Sequence, residues 1–336
     1  KLADDGNRCV VIISGNHDNP ERLSAITPLA EEMGILVFGY PLSKTTEAKY
    51  KGFEITQALE GCTKLNINGE KVTLITLPYP SEKRLNEVIK GDTEREQQIS
   101  YSKKVGDLFR KLEENFEEDS INIAVSHIFV VGGESTESER PIELGGSLLV
   151  QKSDLPQNSQ YTALGHLHKP QKASERLNAY YSGSPIQYSK SERVYSKGAK
   201  IVEVHPGQDA IIEDIYFKNY KPIEVFKCKG IEEAINICEE NKDKNIWSYF
   251  EIVTDEVINQ KNIKTMKSLL KDIIEIKPII NQSYEYEHVD MREKTMKELF
   301  VEYYKFRNKV EPKGELLDLF LQIVEEEGDD NWDRLD

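Results

Sequence analysis

The chain has 336 residues, 38% of them hydrophobic and 31% charged, and a formal net charge of −15. This length allows two or three domains with substantial cores. No apolar run approaches membrane-spanning length and no secretory signal is recognisable at Lys1, while the acid excess argues against a nucleic-acid binder driven by bulk charge. Residues 10–20 read VVIISGNHDNP. Val10, Val11, Ile12 and Ile13 are apolar on both faces, which predicts a central strand covered by helices on each side. Gly15 permits a sharp exit, and Asp18 or Asn19 is placed to cap a helix with Pro20 in its first turn. In such sheets ligands bind at the carboxyl ends of the strands; a plain turn-and-cap role for Asn16 and Asp18 is the competing reading. This strand comes within nine residues of Lys1, so an N-terminal part of the fold is expected to precede it.

Further strand-like runs recur at 35–38, 72–77, 121–126, 161–164, 179–182, 199–204 and 210–217. Between two of them the spacing predicts a long helix over about 97–116, with Val105, Leu108, Phe109, Leu112 and Phe116 as its core face. Residues 1–217 thus read as one α/β layered domain. A second unit, 218–288, reads strand–helix–strand–helix–strand (223–228, 231–241, 249–253, 262–276, 279–286), a small α/β sandwich of the split βαβ kind. A third, 289–327, reads as two helices (292–307 and 315–327) broken by Glu311-Pro312-Lys313-Gly314, and 328–336 is an acidic tail. Cys9, Cys62, Cys228 and Cys238 show no paired zinc spacing, so buried thiols in a reducing cytoplasm are expected. Asn281-Gln282-Ser283 is read as a chance glycosylation sequon.

Four of the six histidines carry the chemistry. His17, His127, His166 and His168 each follow a strand-like run and a small residue, in ISGNHD, IAVSHI and YTALGHLHKP. In an extended segment His166 and His168 would point the same way and reach one metal or two neighbouring ones. Asn16 adds a neutral amide oxygen, and mixed nitrogen and oxygen ligation suits manganese, iron or zinc at a hydrolytic site. Two metals about 3.5–4 Å apart would activate water and offset phosphate charge. Lys169, Lys172, Lys190 and Arg193 are candidate contacts to flanking phosphates, or simply a solvated loop.

Gly-Asn-His-Asp, Ser-His and Gly-His-x-His resemble the later motifs of the binuclear metallophosphoesterases. ERPIELGGSLLV at 139–150, YTALGHLHKPQ at 161–171 and YYSGSPIQYSKSE at 180–192 are similar to the DNA-processing nuclease subunits among them. The resemblance covers nearly the whole chain. It implies Asn16, His127 and His166 as ligands of one metal, His168 as a ligand of a second, manganese as the metal, and His17 as the catalytic histidine at the reacting phosphate. Asp18 would orient the turn, and His205 and His288 match no ligand. The resemblance further implies a DNA-capping role for 218–288, DNA ends and hairpins as substrate, and a coiled-coil ATPase gripped by the helix pair, with a homodimer inside a heterotetramer. Met296, Leu299, Phe300, Tyr303, Leu317, Phe320 and Leu321 are the expected partner-binding residues. The family's Asp-x-His and Gly-Asp-x-x-Asp motifs occur nowhere in this sequence; the second would carry the aspartate that bridges the two metals. Competing readings are a small-molecule phosphodiesterase or phosphatase, and a non-catalytic DNA-binding scaffold.

Overall fold

The computed structural model describes residues 1–86, 93–139, 148–254, 257–279, 295–308, 311–312 and 314–327. The sequon at Asn281, His288, the acidic tail, residues 140–147 of the ERPIELGGSLLV stretch and nearly all of the strand expected over 279–286 lie outside the described residues. Two compact units are distinguished, Lys1–Ile279 and Ile280–Asp336.

In the first unit Val10–Ile13 (β1) leads into the short helices Pro20–Ser24 (α1) and Thr27–Glu31 (α2), then into Ile35–Phe38 (β2), which lies parallel to β1. Three antiparallel neighbours follow: Ala48–Lys49 (β3), Phe53–Leu59 (β4) and Cys62–Ile67 (β5). Glu70–Leu77 (β6), the helices Glu82–Leu85 (α3) and Glu94–Glu113 (α4), and Ile121–His127 (β7) come next. Phe129–Val130 (β8) pairs with Leu149–Val150 (β9). Tyr161–Gly165 (β10), Gln171–Lys172 (β11) and Ala179–Tyr181 (β12) complete a sheet which, among the described residues, has eight strands in the order β11-β12-β10-β7-β6-β5-β4-β3.

Its middle is parallel. β6, β7, β10 and β12 run side by side, so Leu77, His127, Gly165 and Tyr181 end at one edge. β1 is tied to the same edge, because the Tyr79 N–H donates to the Ser14 carbonyl at 3.1 Å. A capping box between Thr93 and Glu96 starts α4. The helix then buries Tyr101, Val105, Phe109 and Leu112 in the cluster that holds Ile75, Leu77 and Ala124. Leu36 and Phe38 of β2 form a second cluster with Phe53, Ile55, Leu65, Val72 and Ile121. Apolar burial of this kind, about 25 cal/mol per Å², is the main force holding the layers together.

Gly198–Glu203 (β13) and Ile211–Tyr216 (β14) form an antiparallel hairpin. Ile223–Cys228 (β15), Ile231–Glu240 (α5), Trp247–Val253 (β16), Gln260–Leu269 (α6) and Ile273–Ile279 (β17) then build a small sheet with its own core around Phe250, Ile252 and Met266. In the second unit Met296–Asn308 (α7) and Gly314–Glu327 (α8) meet through Phe300 and Phe320, whose rings stack at 4.0 Å. No described helix is long and apolar enough to cross a membrane, and the four cysteines are free. Burial pushes the thiols of Cys9 and Cys238 up to about 12 and those of Cys62 and Cys228 up to about 11.

Several sequence expectations are corrected here. Among the described residues β1 pairs with β2 alone and Ile12 is 37% exposed, so the covering expected on both its faces is not found there. The small sheet is not a split βαβ, since β15, β16 and β17 lie in sequential order and all parallel. α6 stops at Leu269, and the apolar residues from Ile273 onward, expected to be helical, are the third strand. The register of β4 on β5 shifts between Ile55 and Gln57.

Candidate metal and phosphate site

The loop after β1 supplies the first two side chains. Asn19 is the cap of α1, accepting from the Arg22 N–H at 2.9 Å with Pro20 behind it. Asp18 instead turns back and accepts the Gly15 N–H at 2.7 Å, which is the turn-orienting role expected of it. Arg84 locks the loop from outside: its guanidinium donates to Ser14 Oγ at 2.9 Å and to the Asp18 carbonyl at 2.7 Å. Nothing in the sequence pattern marked Arg84, which lies 66 residues beyond Asp18. Asn16 is turned inward and half-buried, whereas His17 is exposed.

His127 ends β7 and sits between two glycines. A β-carbon on Gly15 would lie 2.6 Å from its Cε1, and one on Gly165 would lie 2.7 Å from its Nδ1. Only glycine at both positions lets the ring occupy this slot. His127 Nε2 is 3.0 Å from Asn16 Oδ1. Two neighbouring donors each about 2.1 Å from a common ion at a right angle would stand about this far apart.

His166 does not continue β10. It has a φ of 109°, sparsely allowed for a residue with a β-carbon, so the Gly-His-x-His segment is not extended as the sequence pattern implied. This sharp bend turns the His166 ring edge-on to His127 at 5.5 Å. Such outliers persist where the surroundings over-determine them, commonly at functional sites. Asn16, His17, His127, His166 and His168 nonetheless line one cleft of about 270 Å³, together with Glu139 and Tyr188.

Burial, reinforced by the neighbouring imidazoles and Arg84, pushes His127 down to about 3. Burial likewise pushes His166 down to about 4, against the opposing pull of Glu139. Both rings are therefore neutral at neutral pH, the form that donates to a metal. Among the described residues no three His, Cys, Asp or Glu side chains converge as a ready-made metal cage; the donor set rests on the Asn16 amide as well. These neutral nitrogen and oxygen donors fit a borderline divalent ion.

Carboxylates that the sequence reading did not single out support the cleft. Glu139 accepts the His168 N–H at 2.7 Å and the Thr136 hydroxyl at 2.6 Å. Burial raises its carboxyl, but these bonds outweigh that and hold it below the usual range. Deeper still, Glu192 and Lys197 form a buried ion pair.

Of the four candidate phosphate contacts, Lys169 is paired with Glu134 and Lys190 with Glu275. Lys172 reaches the Glu175 carbonyl and Arg193 the Lys190 carbonyl, not acids. His205 lies at the surface beside Glu203 and Glu70.

No family model matches the chain. The D-type subunit of the nuclease SbcCD from Bacillus subtilis (strain 168) is 37% identical over 335 residues, covering 97% of this chain and 82% of that protein.

Proposed function

The chain belongs to the SbcD family, the D-type subunits of SbcCD nucleases, and on that premise we propose that it hydrolyses DNA phosphodiester bonds, as a double-strand exonuclease and single-strand endonuclease working with an SbcC-type ATPase in DNA-end processing. Its mixed α/β architecture with a large mixed sheet fits a metallophosphoesterase-like fold. The observation that carries the reading is the gathering of Asn16, His17, His127, His166 and His168 in one cleft at the carboxyl edge of that sheet.

In this reading Asn16, His127 and His166 hold one divalent ion and His168 a second, manganese in both cases. Ions held there supply a nucleophile at neutral pH and offset the charge on the phosphate. The chain's own residues do the rest. His17, exposed beside the buried ligands, donates a proton to the leaving oxygen or stabilises the reacting phosphate. Asp18 and Arg84 hold its loop in place, and Lys172 and Arg193 are the better placed of the four basic residues for flanking phosphates. Hydrolysis of linear duplex DNA, set against a chromogenic phosphodiester in the presence of manganese, by the full-length protein with the Asp-x-His and Gly-Asp-x-x-Asp motifs in place, tests the proposal. Cleavage of DNA is expected, and activity on the small ester alone would reject the nuclease reading.

The small sheet of β15, β16 and β17 is proposed as the DNA-capping unit, and α7 with α8 as the element that grips the SbcC coiled coil in a heterotetramer built on a homodimer. Phe300 and Phe320 stack on each other, which makes them the clasp of the hairpin. Docking therefore falls to its exposed apolar residues, among them Met296, Tyr303, Leu316 and Leu319, with Leu299, Leu317 and Leu321 half-buried behind. A Met296→Asp, Leu319→Asp double variant should bind SbcC roughly 30-fold more weakly or worse with unchanged helicity. Undiminished binding would assign these helices another role.

A further inference from the structure

Outside the proposed ligands, the most completely buried charges near the cleft are Glu192 and Lys197, with side chains 0% and 3% exposed. Neither is close to the catalytic loop in sequence, and the proposed mechanism uses neither. A buried ion pair is weak evidence for stability, because desolvating two charges offsets much of their attraction. Its hydrogen bonds suggest what else it does.

Lys197 Nζ donates to Glu192 Oε2, to Ser184 Oγ at 2.7 Å and to the His168 carbonyl at 3.0 Å. Ser184 Oγ also lies 3.0 Å from Glu192 Oε2. The other carboxylate oxygen, Oε1, accepts the hydroxyl of Ser138. Ser138 Oγ in turn lies 2.6 Å from His168 Nδ1, with Glu192 Oε1 itself 3.4 Å from the same nitrogen.

The direction of each bond follows from what each group can give. An ionised carboxylate only accepts, and a hydroxyl has a single hydrogen. Thr136 Oγ1, 2.9 Å from Ser138 Oγ, directs its hydrogen to Glu139 Oε2 at 2.6 Å. Ser138 directs its own to Glu192. Neither hydroxyl hydrogen remains for His168 Nδ1, so Nδ1 must carry its own and donate it to Ser138. The lone pair of the ring is then on Nε2.

We infer that Glu192, through Ser138 and anchored by Lys197, is a positioning residue that sets the tautomer and orientation of His168 so that Nε2 is the ligating atom. This rests on the reading of His168 as a metal ligand. Metal-binding histidines commonly give their second N–H to such a partner, and loss of the partner costs about 10–100-fold in metal affinity. Here the partner acts one hydroxyl away, and Lys197 ties it to the His168 backbone as well, so ring and main chain are held by one buried pair.

The test uses Ser138→Ala and Glu192→Gln, with His168→Ala as the reference. Nitrogen-15 spectra of histidine-labelled, metal-free protein at pH 8 report the tautomer directly. The unaltered chain should show His168 protonated at Nδ1, and both variants should show a mixture. Manganese titration of the full-length protein should give affinity about 10–100-fold weaker at one site. Ser138→Ala leaves the Glu192–Lys197 pair intact, so it decides the matter alone should Glu192→Gln unfold with Lys197 uncompensated. An unchanged tautomer together with unchanged affinity in Ser138→Ala would overturn the inference. Unchanged manganese binding in His168→Ala would instead reject the ligand reading beneath it.

Discussion

Replacing His17 by alanine in the full-length protein is expected to slow hydrolysis of duplex DNA by about 10²–10⁴-fold, the range for loss of a general acid or of a preorganised stabiliser of the phosphate, while manganese content stays nearly intact. The contrast between two adjacent residues is the reason. Asn16 turns into the cleft to lie 3.0 Å from His127 Nε2, whereas His17 is exposed and lines the same cleft from its open side. Its loop is braced independently by the Asp18 bond to the Gly15 N–H and by the two Arg84 bonds, so removing the imidazole should leave Asn16 where it is. Single-turnover rates with metal analysis of the same samples separate the alternatives. Loss of both metal and activity would make His17 a ligand, and full activity would remove it from the mechanism.

Gly165→Ala should cost about 10²-fold or more in activity and weaken manganese binding, although alanine adds only a methyl group. That methyl would arrive 2.7 Å from His127 Nδ1, several tenths of an ångström inside ordinary contact. The ring has little room to retreat, because its other flank is Gly15, where even a β-carbon would lie 2.6 Å from its Cε1. The imidazole must therefore shift away from Asn16, and misplacement on the order of 1 Å can cost about 10²-fold in rate. Gly15→Ala should do similar damage. The two changes press on one ring, so their effects should not be additive in the double variant. Far-UV circular dichroism should show the fold kept, since overpacking typically costs only about 1–3 kcal/mol. Wild-type metal affinity and rate in Gly165→Ala would mean that the position of His127 is not critical.

The histidines were legible because each sits just past an apolar run, and the parallel strands β7 and β10 bring such endings to one edge whatever the loops between them do. Their support was not legible. Ser138 and Glu192 are 54 residues apart, and in sequence Glu192 is one acid among many; only the fold shows it buried. The exposure of β1 among the described residues was not legible either. Val10-Val11-Ile12-Ile13 states a preference for burial on both faces, but preference does not supply neighbours, and Ile12 is partly exposed. In the small sheet the helix boundary failed because Ile273, Ile274 and Ile276 continue an apolar pattern that suits helix or strand. The break falls at Asp272, whose positive φ no periodicity reveals.

Asn16 and His127 face each other across 111 residues of chain. At about 5–20 residues per second, a ribosome needs roughly 6–22 s to add the second residue after the first. Throughout that interval the earlier half of the pair has no partner with which to share an ion. Parallel strands are also slow to pair, since distant segments must meet before any contact rewards them. On the proposed reading of this pair as ligands, competence to capture a metal is thus withheld from the nascent chain and conferred late in folding. An ion that recognises only the finished arrangement then stabilises it in proportion to the logarithm of the ion's free concentration, once that exceeds the dissociation constant.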